Sequence, residues 1–468
     1  MSKNPLKGSN ADPKRLAGGE GAIAASQSNI NLLRRSVLAN LLWENQFYID
    51  GLSHTSYIDN LIPVCAPKDV FDLAVEARTE QKLRRMPVYI AVKMCLYPEH
   101  RKLVGTLLPK IITRADMLVD FLTLYWKERK KPLAAQVKKG LAEAFKNFDE
   151  YQFAKYDRPG NIKLRDIMFL VHPKPDTKER EELYKRIADR TLSTPDTWEV
   201  ALSTGKDKKE TWTRLIQEKK LGGLAMLRNI SNMTKAGVDP KIIKYGLENL
   251  KKGLLLPLNF YNAYRLHPEY AFQIEEAMRK SYENMPQLKG KTLFIVDVSG
   301  SMNSPLSRNS VLARQTVASV LALFASYQCE NFTLVATAGD DYKGVGAHEH
   351  IVSPEKGFGL INQINHTRLR IGGGGIFTRQ CLKWCEDKFG NIFERIIVFS
   401  DSQDCDRKDP IPKPFAKYNY ICDVSAYSNG INYKGVWTAE ISGWSEQFLT
   451  YVAAYEGVTN VLEDESEV

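Results

Sequence analysis

The chain has 468 residues, 43% of them apolar, and a formal net charge of +10, which allows a sizeable core in about two or three domains. No apolar stretch approaches the ~20 residues that cross a bilayer, and residues 1–27 lack the apolar segment of a secretory signal. We therefore expect a cytoplasmic protein with a flexible arm over residues 1–27.

The seven cysteines exclude a disulfide framework. Cys381 and Cys385 lie one helical turn apart without a CxxC pair, so buried structural thiols compete with metal or redox use.

Charge is unevenly distributed along the chain. Residues 1–290 contain 49 Lys and Arg against 34 Asp and Glu, whereas the remainder contains 16 against 21. A basic first part indicates an anionic partner, with nucleic acid foremost. A solvated helical surface with surplus lysine would give the same balance, so charge alone leaves both interpretations open.

From about Leu32 to Tyr282 the sequence predicts one helix after another. In "DMLVDFLTLYWKERKK" an apolar stripe recurs at helical spacing and ends in a basic turn. In "PLAAQVKKGLAEAFKNF" the apolar residues recur every fourth position, and we expect Pro132 to begin the helix. Because strand-like alternation is scarce here, the pattern predicts an α-helical array of stacked helix pairs. A solenoid is compatible with it, although no single repeat length aligns.

A different pattern begins after "NMPQLKG". Short β-type runs such as "KTLFIV" and "ERIIVFSD" alternate with helical segments such as "SRNSVLARQTVASVLALFASYQ". This alternation predicts a parallel sheet covered on both faces. We place the domain boundary near Lys289, which gives a helical module over 1–289 and an α/β domain over 290–468.

Small oxygen-bearing side chains follow the predicted strands. Asp297, Ser299 and Ser301 follow the first strand, Asp401 follows another, and Thr378 follows the run Gly372–Gly375. Parallel strands place their carboxyl ends at one edge of the sheet, so these groups should converge there. Hard oxygen ligands suit Mg²⁺, with Mn²⁺ or Ca²⁺ as alternatives, rather than zinc. In the competing interpretation Asp297 and Ser299 only cap the following helix.

Four histidines are weaker candidates. His348 and His350 in "AHEH" could offer imidazoles to zinc, and we expect them in a Gly-rich loop. His172 and His267 precede prolines at predicted helix ends, which is typical of capping or packing residues.

The set DxSxS, Thr378 and SerAsp resembles the metal-ion-dependent adhesion site of von Willebrand factor A domains. The segments "LPKIITRADML", "LRDIMFLVHPKP" and "MLRNISNM" resemble the TROVE module. Together they are similar to the Ro60 (Ro/SS-A) family, including its bacterial Rsr members, over nearly the whole chain. The resemblance implies a ring of HEAT-like helix pairs followed by a Rossmann-like von Willebrand factor A domain. It also implies direct metal contacts from Ser299, Ser301 and Thr378, and contacts through water from Asp297 and Asp401.

The resemblance implies a non-enzymatic RNA-binding scaffold for RNA quality control. Such rings bind small structured Y-like RNA on a basic outer surface and admit single-stranded ends of misfolded RNA into the hole. Further implied partners are an exoribonuclease and a carboxylate-bearing protein at the metal, and a closed ring would make a monomer sufficient. A cation-dependent adhesion or assembly module without RNA is the alternative. A hydrolase is disfavoured because no obvious general base accompanies the metal site.

Phosphate contacts need Lys or Arg on one surface, and four places in the helical part offer them. They are Arg84 with Arg85, Lys138 with Lys139, the cluster Lys155, Arg158, Lys163 and Arg165, and Arg228 with Lys235. The cluster over 155–165 is the strongest, because Tyr151 and Tyr156 are available there to stack on bases. The resemblance would place Arg228 and Lys235 near the ring interior. Any one of these residues could also be an ordinary solvated charge.

Overall fold

In a computed structural model, the described part of the chain is residues 29–38 and 51–457, with gaps at 80–82, 130–131, 158–159, 161, 204–206, 252–254, 307–309, 341–344, 354–356, 372, 402–413, 425–436, 443–447, 450–451 and 454–455. The predicted arm over 1–27 lies outside the described residues, and so does Arg158. The predicted fold class is confirmed, since helices fill the first part and a sheet with covering helices fills the second.

Contacts divide the chain into two compact units. One unit contains Asn29–Leu38 and Ser56–Leu221, and the other contains Gly222–Val468. The helices before residue 222 are α1 (Asn29–Leu38), α2 (Gly51–Leu61), α3 (Pro67–Thr79), α4 (Arg85–Met94), α5 (Pro98–Ile111), α6 (Asp116–Glu128), α7 (Ala135–Ala144), α8 (Glu150–Tyr156), α9 (Leu164–Val171), α10 (Lys178–Asp189), α11 (Trp198–Ser203) and α12 (Lys208–Gln217).

The helix α6 shows how the apolar stripe builds the core of the first unit. Every apolar residue of the predicted stripe is fully buried, namely Met117, Leu118, Phe121, Leu122 and Tyr125. The next helix does not begin at Pro132 as predicted. The Ala134 backbone is extended, and its N–H donates to the Tyr125 hydroxyl over 3.2 Å, so α7 begins at Ala135.

The second unit contains the remaining helices and the sheet. Its helices are α13 (Gly223–Arg228), α14 (Ile230–Lys235), α15 (Pro240–Glu248), α16 (Pro257–Leu266), α17 (Ala271–Ser281), α18 (Arg314–Tyr327), α19 (Gly359–Ile371) and α20 (Thr378–Phe389). Its strands are β1 (Leu288–Asp297), β2 (Cys329–Asp340), β3 (Val345–Val352), β4 (Arg395–Ser400), β5 (Tyr418–Asp423) and β6 (Ala439–Ser442).

The strand order in the sheet is β3-β2-β1-β4-β5-β6. Neighbouring strands are parallel except β2 and β3, which are antiparallel. The prediction of a purely parallel sheet was therefore wrong at one edge. The prediction of a loop at "AHEH" was wrong as well, because His348 and His350 lie on β3 and pair with Ala338 and Ala336 of β2.

Helix α20 covers one face of the sheet. Its Cys381 and Cys385 are buried in one hydrophobic cluster with Leu293 and Ile295 of β1. Their thiols are unoxidised and lie in an apolar core. This placement supports the interpretation of both cysteines as structural side chains.

Helices α16 and α17 pack on the helices of the sheet domain. The Tyr264 ring stacks on Phe358 with centroids 4.3 Å apart, and the Tyr327 hydroxyl donates to Glu275 over 2.7 Å. The change from helix to strand falls at Leu288, close to the predicted boundary at Lys289. The compact unit nevertheless begins at Gly222, because these contacts tie the last helices of the helical region to the sheet. Within the described ranges no helix is long and apolar enough to span a membrane.

Candidate metal centre and basic surfaces

Two neighbouring strands place two aspartates at one edge of the sheet. Asp297 is the last residue of β1, and Asp401 directly follows β4, which pairs in parallel with β1. Both aspartates are fully buried. The Ser400 hydroxyl donates to Asp297 Oδ2 over 2.7 Å and links the two strand ends. The predicted convergence of Asp297 and Asp401 is therefore present in the fold.

The loop after β1 turns two serine hydroxyls toward each other. The Ser299 backbone N–H donates to Asp297 Oδ1 over 2.8 Å, and the Oγ atoms of Ser299 and Ser301 lie 3.3 Å apart. The long helix α18 begins only at Arg314 and has no side-chain cap. The capping interpretation of Asp297 and Ser299 therefore fails for this helix.

A glycine-rich loop brings the third hydroxyl to the same edge. The Gly300 N–H donates to the Gly374 carbonyl over 2.8 Å, and the Gly339 N–H donates to the Gly375 carbonyl over 2.6 Å. A Cβ on Gly300 would lie only 2.7 Å from the Gly373 carbonyl oxygen, so the close approach of the loops requires glycine there. This loop leads directly into the buried Thr378, the first residue of α20.

A buried arginine that was not predicted from the sequence pairs with one of the two aspartates. Arg314 Nη1 donates to Asp401 Oδ2 over 3.0 Å, and both side chains are almost fully buried. Burial and the neighbouring Asp401 carboxylate raise the pKa of Asp297 to about 7. This edge of the sheet therefore contains one guanidinium group and two carboxyl groups. A bound cation would stabilise the charged form of both carboxyl groups.

The residues at this edge fit a hard divalent cation. They offer two carboxylates and three hydroxyl groups, the donor chemistry of Mg²⁺, Mn²⁺ and Ca²⁺ rather than of zinc. Among the described residues no group of three or more His, Cys, Asp and Glu could hold a metal. A cation at this edge therefore depends on Ser299, Ser301 and Thr378. We call these five residues (Asp297, Ser299, Ser301, Thr378 and Asp401) the oxygen cup.

Arg314 is the residue that the sequence did not predict. Ser400 was noted only as part of the SerAsp motif, and its hydrogen bond to Asp297 was not predicted. Arg314 gives no signal in the sequence, because it precedes Asp401 by 87 residues and begins an ordinary apolar helix.

The basic residues predicted to contact RNA have different environments in the structure. Arg84 Nη2 pairs with Asp116 over 2.8 Å and with Asp120 over 2.9 Å, so internal ion pairs compete with a phosphate there. Arg85 is exposed at the start of α4. Lys138 and Lys139 are both exposed on α7, and they offer their charge to solvent.

In the cluster over 155–165, Lys155 lies close to two tyrosine rings of the protein itself. Lys155 Nζ lies 5.8 Å from the Tyr151 ring centre and 5.7 Å from that of Tyr156. The Arg114 guanidinium lies 4.7 Å from the Tyr156 ring centre. Tyr156 therefore already carries a cation on its ring, whereas Tyr151 is 46% exposed and better placed to stack on a base.

The remaining members of this cluster flank α9. Lys163 is half-buried and immediately precedes this helix, and the Arg165 guanidinium lies 5.3 Å from the centre of the Phe169 ring. His172 ends α9 in the left-handed conformation at φ 50°, as expected for a residue at a helix end.

Arg228 and Lys235 share one exposed helical face. The helical hydrogen bonds continue through the kink between α13 and α14, from the Asn229 N–H to Ala225 and from the Met233 N–H to Asn229. Seven residues span about two helical turns, so the two exposed side chains lie on the same side. We call this face the Arg228 face.

Comparisons with known proteins include a family match that covers one of the three TROVE-like segments, "MLRNISNM". Residues 185–305 match the model of the TROVE domain. The fold is similar to the crystal structure of the Deinococcus radiodurans RO (RSR) protein, with a TM-score of 0.54 and 15% sequence identity. The alignment covers 92% of this chain and 100% of the other. The resemblance to the TROVE module is confirmed over the matched residues, whereas the von Willebrand factor A resemblance stays a prediction.

Proposed function

We propose that this chain is an RNA-binding scaffold of the Ro60 and Rsr kind, whose binding of RNA involves no catalysis. The observation that carries the proposal is the TROVE match over residues 185–305 on an Rsr-like fold. The matched segment includes the Arg228 face, whose cations are exposed. The basic excess of residues 1–290 supports the same ligand class.

In the finer form of the proposal, two surfaces bind two kinds of RNA. Small structured Y-like RNA binds an outer surface through the exposed Lys138 and Lys139. Single-stranded ends of misfolded RNA enter the ring hole and contact the Arg228 face. An exoribonuclease partner, a monomeric state and a cytoplasmic location belong to this proposal too.

The oxygen cup has a separate role in the proposal, as a Mg²⁺ site with Mn²⁺ or Ca²⁺ as alternatives. Ser299, Ser301 and Thr378 would hold the ion directly, and Asp297 and Asp401 would act through waters. The ion would supply an open coordination position for a carboxylate of a protein partner. The buried carboxylate pair and the adjacent hydroxyls support this assignment.

Replacing Lys138 and Lys139 by alanine should weaken binding of structured RNA and reduce its salt dependence. Loss of two phosphate contacts should lower the slope of log affinity against log salt by about 1.4–1.8. Filter binding at several salt concentrations measures the slope, with Lys383→Ala on α20 as an exposed control. An unchanged slope in the double variant would show that α7 does not contact the RNA.

Replacing Arg228 and Lys235 by alanine should affect a single-stranded RNA more than a structured one. These residues lie on a different helix from Lys138, so the two RNA classes should respond to different substitutions. Competition binding with a single-stranded oligonucleotide and a blunt hairpin measures both affinities. Equal losses for the two RNAs would contradict the two-surface proposal.

A cation-dependent adhesion or assembly module without RNA is the second candidate, and the oxygen cup favours it. The two candidate functions predict different amounts of nucleic acid in the purified protein. An RNA scaffold should co-purify with nucleic acid at low salt, visible in its ultraviolet absorbance and removed by ribonuclease. Protein free of nucleic acid that also fails to bind RNA would favour the adhesion module.

A further inference from the structure

A serine, a histidine and a glutamate form a hydrogen-bonded chain in the second unit. Ser231 Oγ lies 2.6 Å from His267 Nε2, and His267 Nδ1 lies 3.0 Å from Glu269 Oε1. Ser231 lies on α14, whereas His267 and Glu269 lie at the turn after α16. The sequence interpretation of His267 as a capping or packing residue does not account for contacts at both ring nitrogens. The turn that His267 precedes has no side-chain cap.

The hydrogen-bond partners indicate the tautomer of His267. A carboxylate only accepts hydrogen bonds, so Glu269 fixes the proton of a neutral imidazole on Nδ1. The lone pair of Nε2 then accepts the Ser231 hydroxyl proton. A nucleophile held within hydrogen-bond reach of a base, itself oriented by a third group, is the arrangement of activated serines.

The three side chains are partly buried and partly exposed to solvent. The His267 side chain is 12% exposed, so protein shields the base, while the Glu269 side chain is 53% exposed. Ser231 is half-buried, so part of the residue is open to solvent. An ester small enough to reach a half-buried hydroxyl fits these surroundings.

We propose that Ser231 is an activated nucleophile that hydrolyses small carboxylic esters. Ser231 Oγ bonds to the ester carbonyl carbon while its proton passes to His267 Nε2. The alcohol then leaves with that proton, and the acyl group remains on Ser231. Water attacks the acyl-serine, gives one proton to His267 and releases the carboxylic acid as the serine regains its proton. Glu269 is a positioning residue that orients the imidazole.

The full-length protein and its variants are tested with a fluorophosphonate reagent, whose fluoride Ser231 displaces. Mass spectrometry of the digested protein locates the label, and release of p-nitrophenol from p-nitrophenyl acetate measures turnover. We expect the label on Ser231 and none at that peptide in Ser231→Ala. His267→Gln should lower the labelling rate about 100-fold, because it removes the base.

Thr234→Ala is the matched control. The Thr234 hydroxyl on the same helix donates to the Ile230 carbonyl over 3.0 Å. This variant should label and turn over ester at the parent rate. Glu269→Gln should lower the labelling rate while its melting temperature stays close to that of the parent, which separates positioning from folding. A protein whose Ser231 takes no label, or is labelled equally fast in His267→Gln, would show that the hydrogen-bonded chain only joins α14 to the turn. RNA affinity is measured alongside, and its loss or retention bears on the scaffold proposal alone.

Discussion

Replacing Arg395 by alanine is expected to lower the free energy of unfolding by about 3–5 kcal/mol, because it leaves a buried carboxylate without its partner. The side chains of Arg395 and Glu456 are 2% and 3% exposed. Arg395 Nη2 donates to Glu456 Oε2 over 2.6 Å and to the Lys289 carbonyl over 2.7 Å, and Nη1 donates to the Thr292 hydroxyl over 2.9 Å. One guanidinium therefore links the beginnings of β1 and β4 to Glu456.

Urea unfolding followed by circular dichroism measures the effect. Lys417→Ala is the control, since Lys417 pairs with Glu394 over 3.0 Å at an exposed site and its loss should lower the free energy of unfolding far less. Replacing Arg395 and Glu456 together by leucine should recover much of the lost stability, because no buried charge is then left unpaired. Equal midpoints for Arg395→Ala and Lys417→Ala would contradict this account of the core.

The sequence was sufficient to predict helices such as α6 and strands such as β1 and β4, because hydrophobic periodicity reports burial directly. The stripe of α6 and the apolar runs of β1 and β4 are each buried as their patterns predict. Strand β3 was missed because "VGAHEHIV" is not a continuous apolar run. Its strand conformation rests on antiparallel hydrogen bonds with β2 at the sheet edge, a contact between segments that periodicity does not report.

The oxygen cup was predictable because strand order in a parallel sheet carries Asp297, Ser299 and Asp401 to one edge. The environments of charged side chains, by contrast, were not predictable from the sequence. Arg314 reaches Asp401 across 87 residues, and Arg114 covers the Tyr156 ring that was expected to stack on bases. Such contacts depend on which helices pack together, and local residue patterns leave that undetermined. The same holds for Ser231 and His267, which lie 36 residues apart in sequence.

The melting temperature of the Asp297→Asn variant should respond to Mg²⁺ much less than that of its parent. Without a divalent ion, burial and the neighbouring Asp401 carboxylate both disfavour the charged form of Asp297 and raise its pKa. Asparagine cannot carry the charge, so the variant should melt at or above the parent temperature in EDTA. With Mg²⁺ at about 100 times the dissociation constant, the parent should gain about 2.7 kcal/mol, or roughly 5–10 °C.

The variant should gain little from Mg²⁺, because Asp297 does more than supply charge. Its Oδ1 accepts from the Ser299 N–H and its Oδ2 from the Ser400 hydroxyl, so the carboxylate also orients the loop whose hydroxyls would hold the ion. Scanning calorimetry in EDTA and in Mg²⁺ measures all four melting temperatures. Asp423→Asn is the control, since it removes a buried carboxylate at the end of β5 that is not one of the five residues of the oxygen cup.

RNA affinity measured in parallel should be the same for Asp297→Asn and its parent. The proposed RNA contacts lie on α7 and the Arg228 face, and none of them belongs to the oxygen cup. An equal Mg²⁺ response in Asp297→Asn and the parent would remove the metal assignment and leave the cup as a purely structural cluster. A variant that loses RNA affinity while folded would instead show that the cup and the RNA surfaces are energetically coupled. If Asp297→Asn loses the Mg²⁺ response and keeps its RNA affinity, the two kinds of binding can be altered independently. This is expected because no side chain belongs to both the oxygen cup and the proposed RNA contacts.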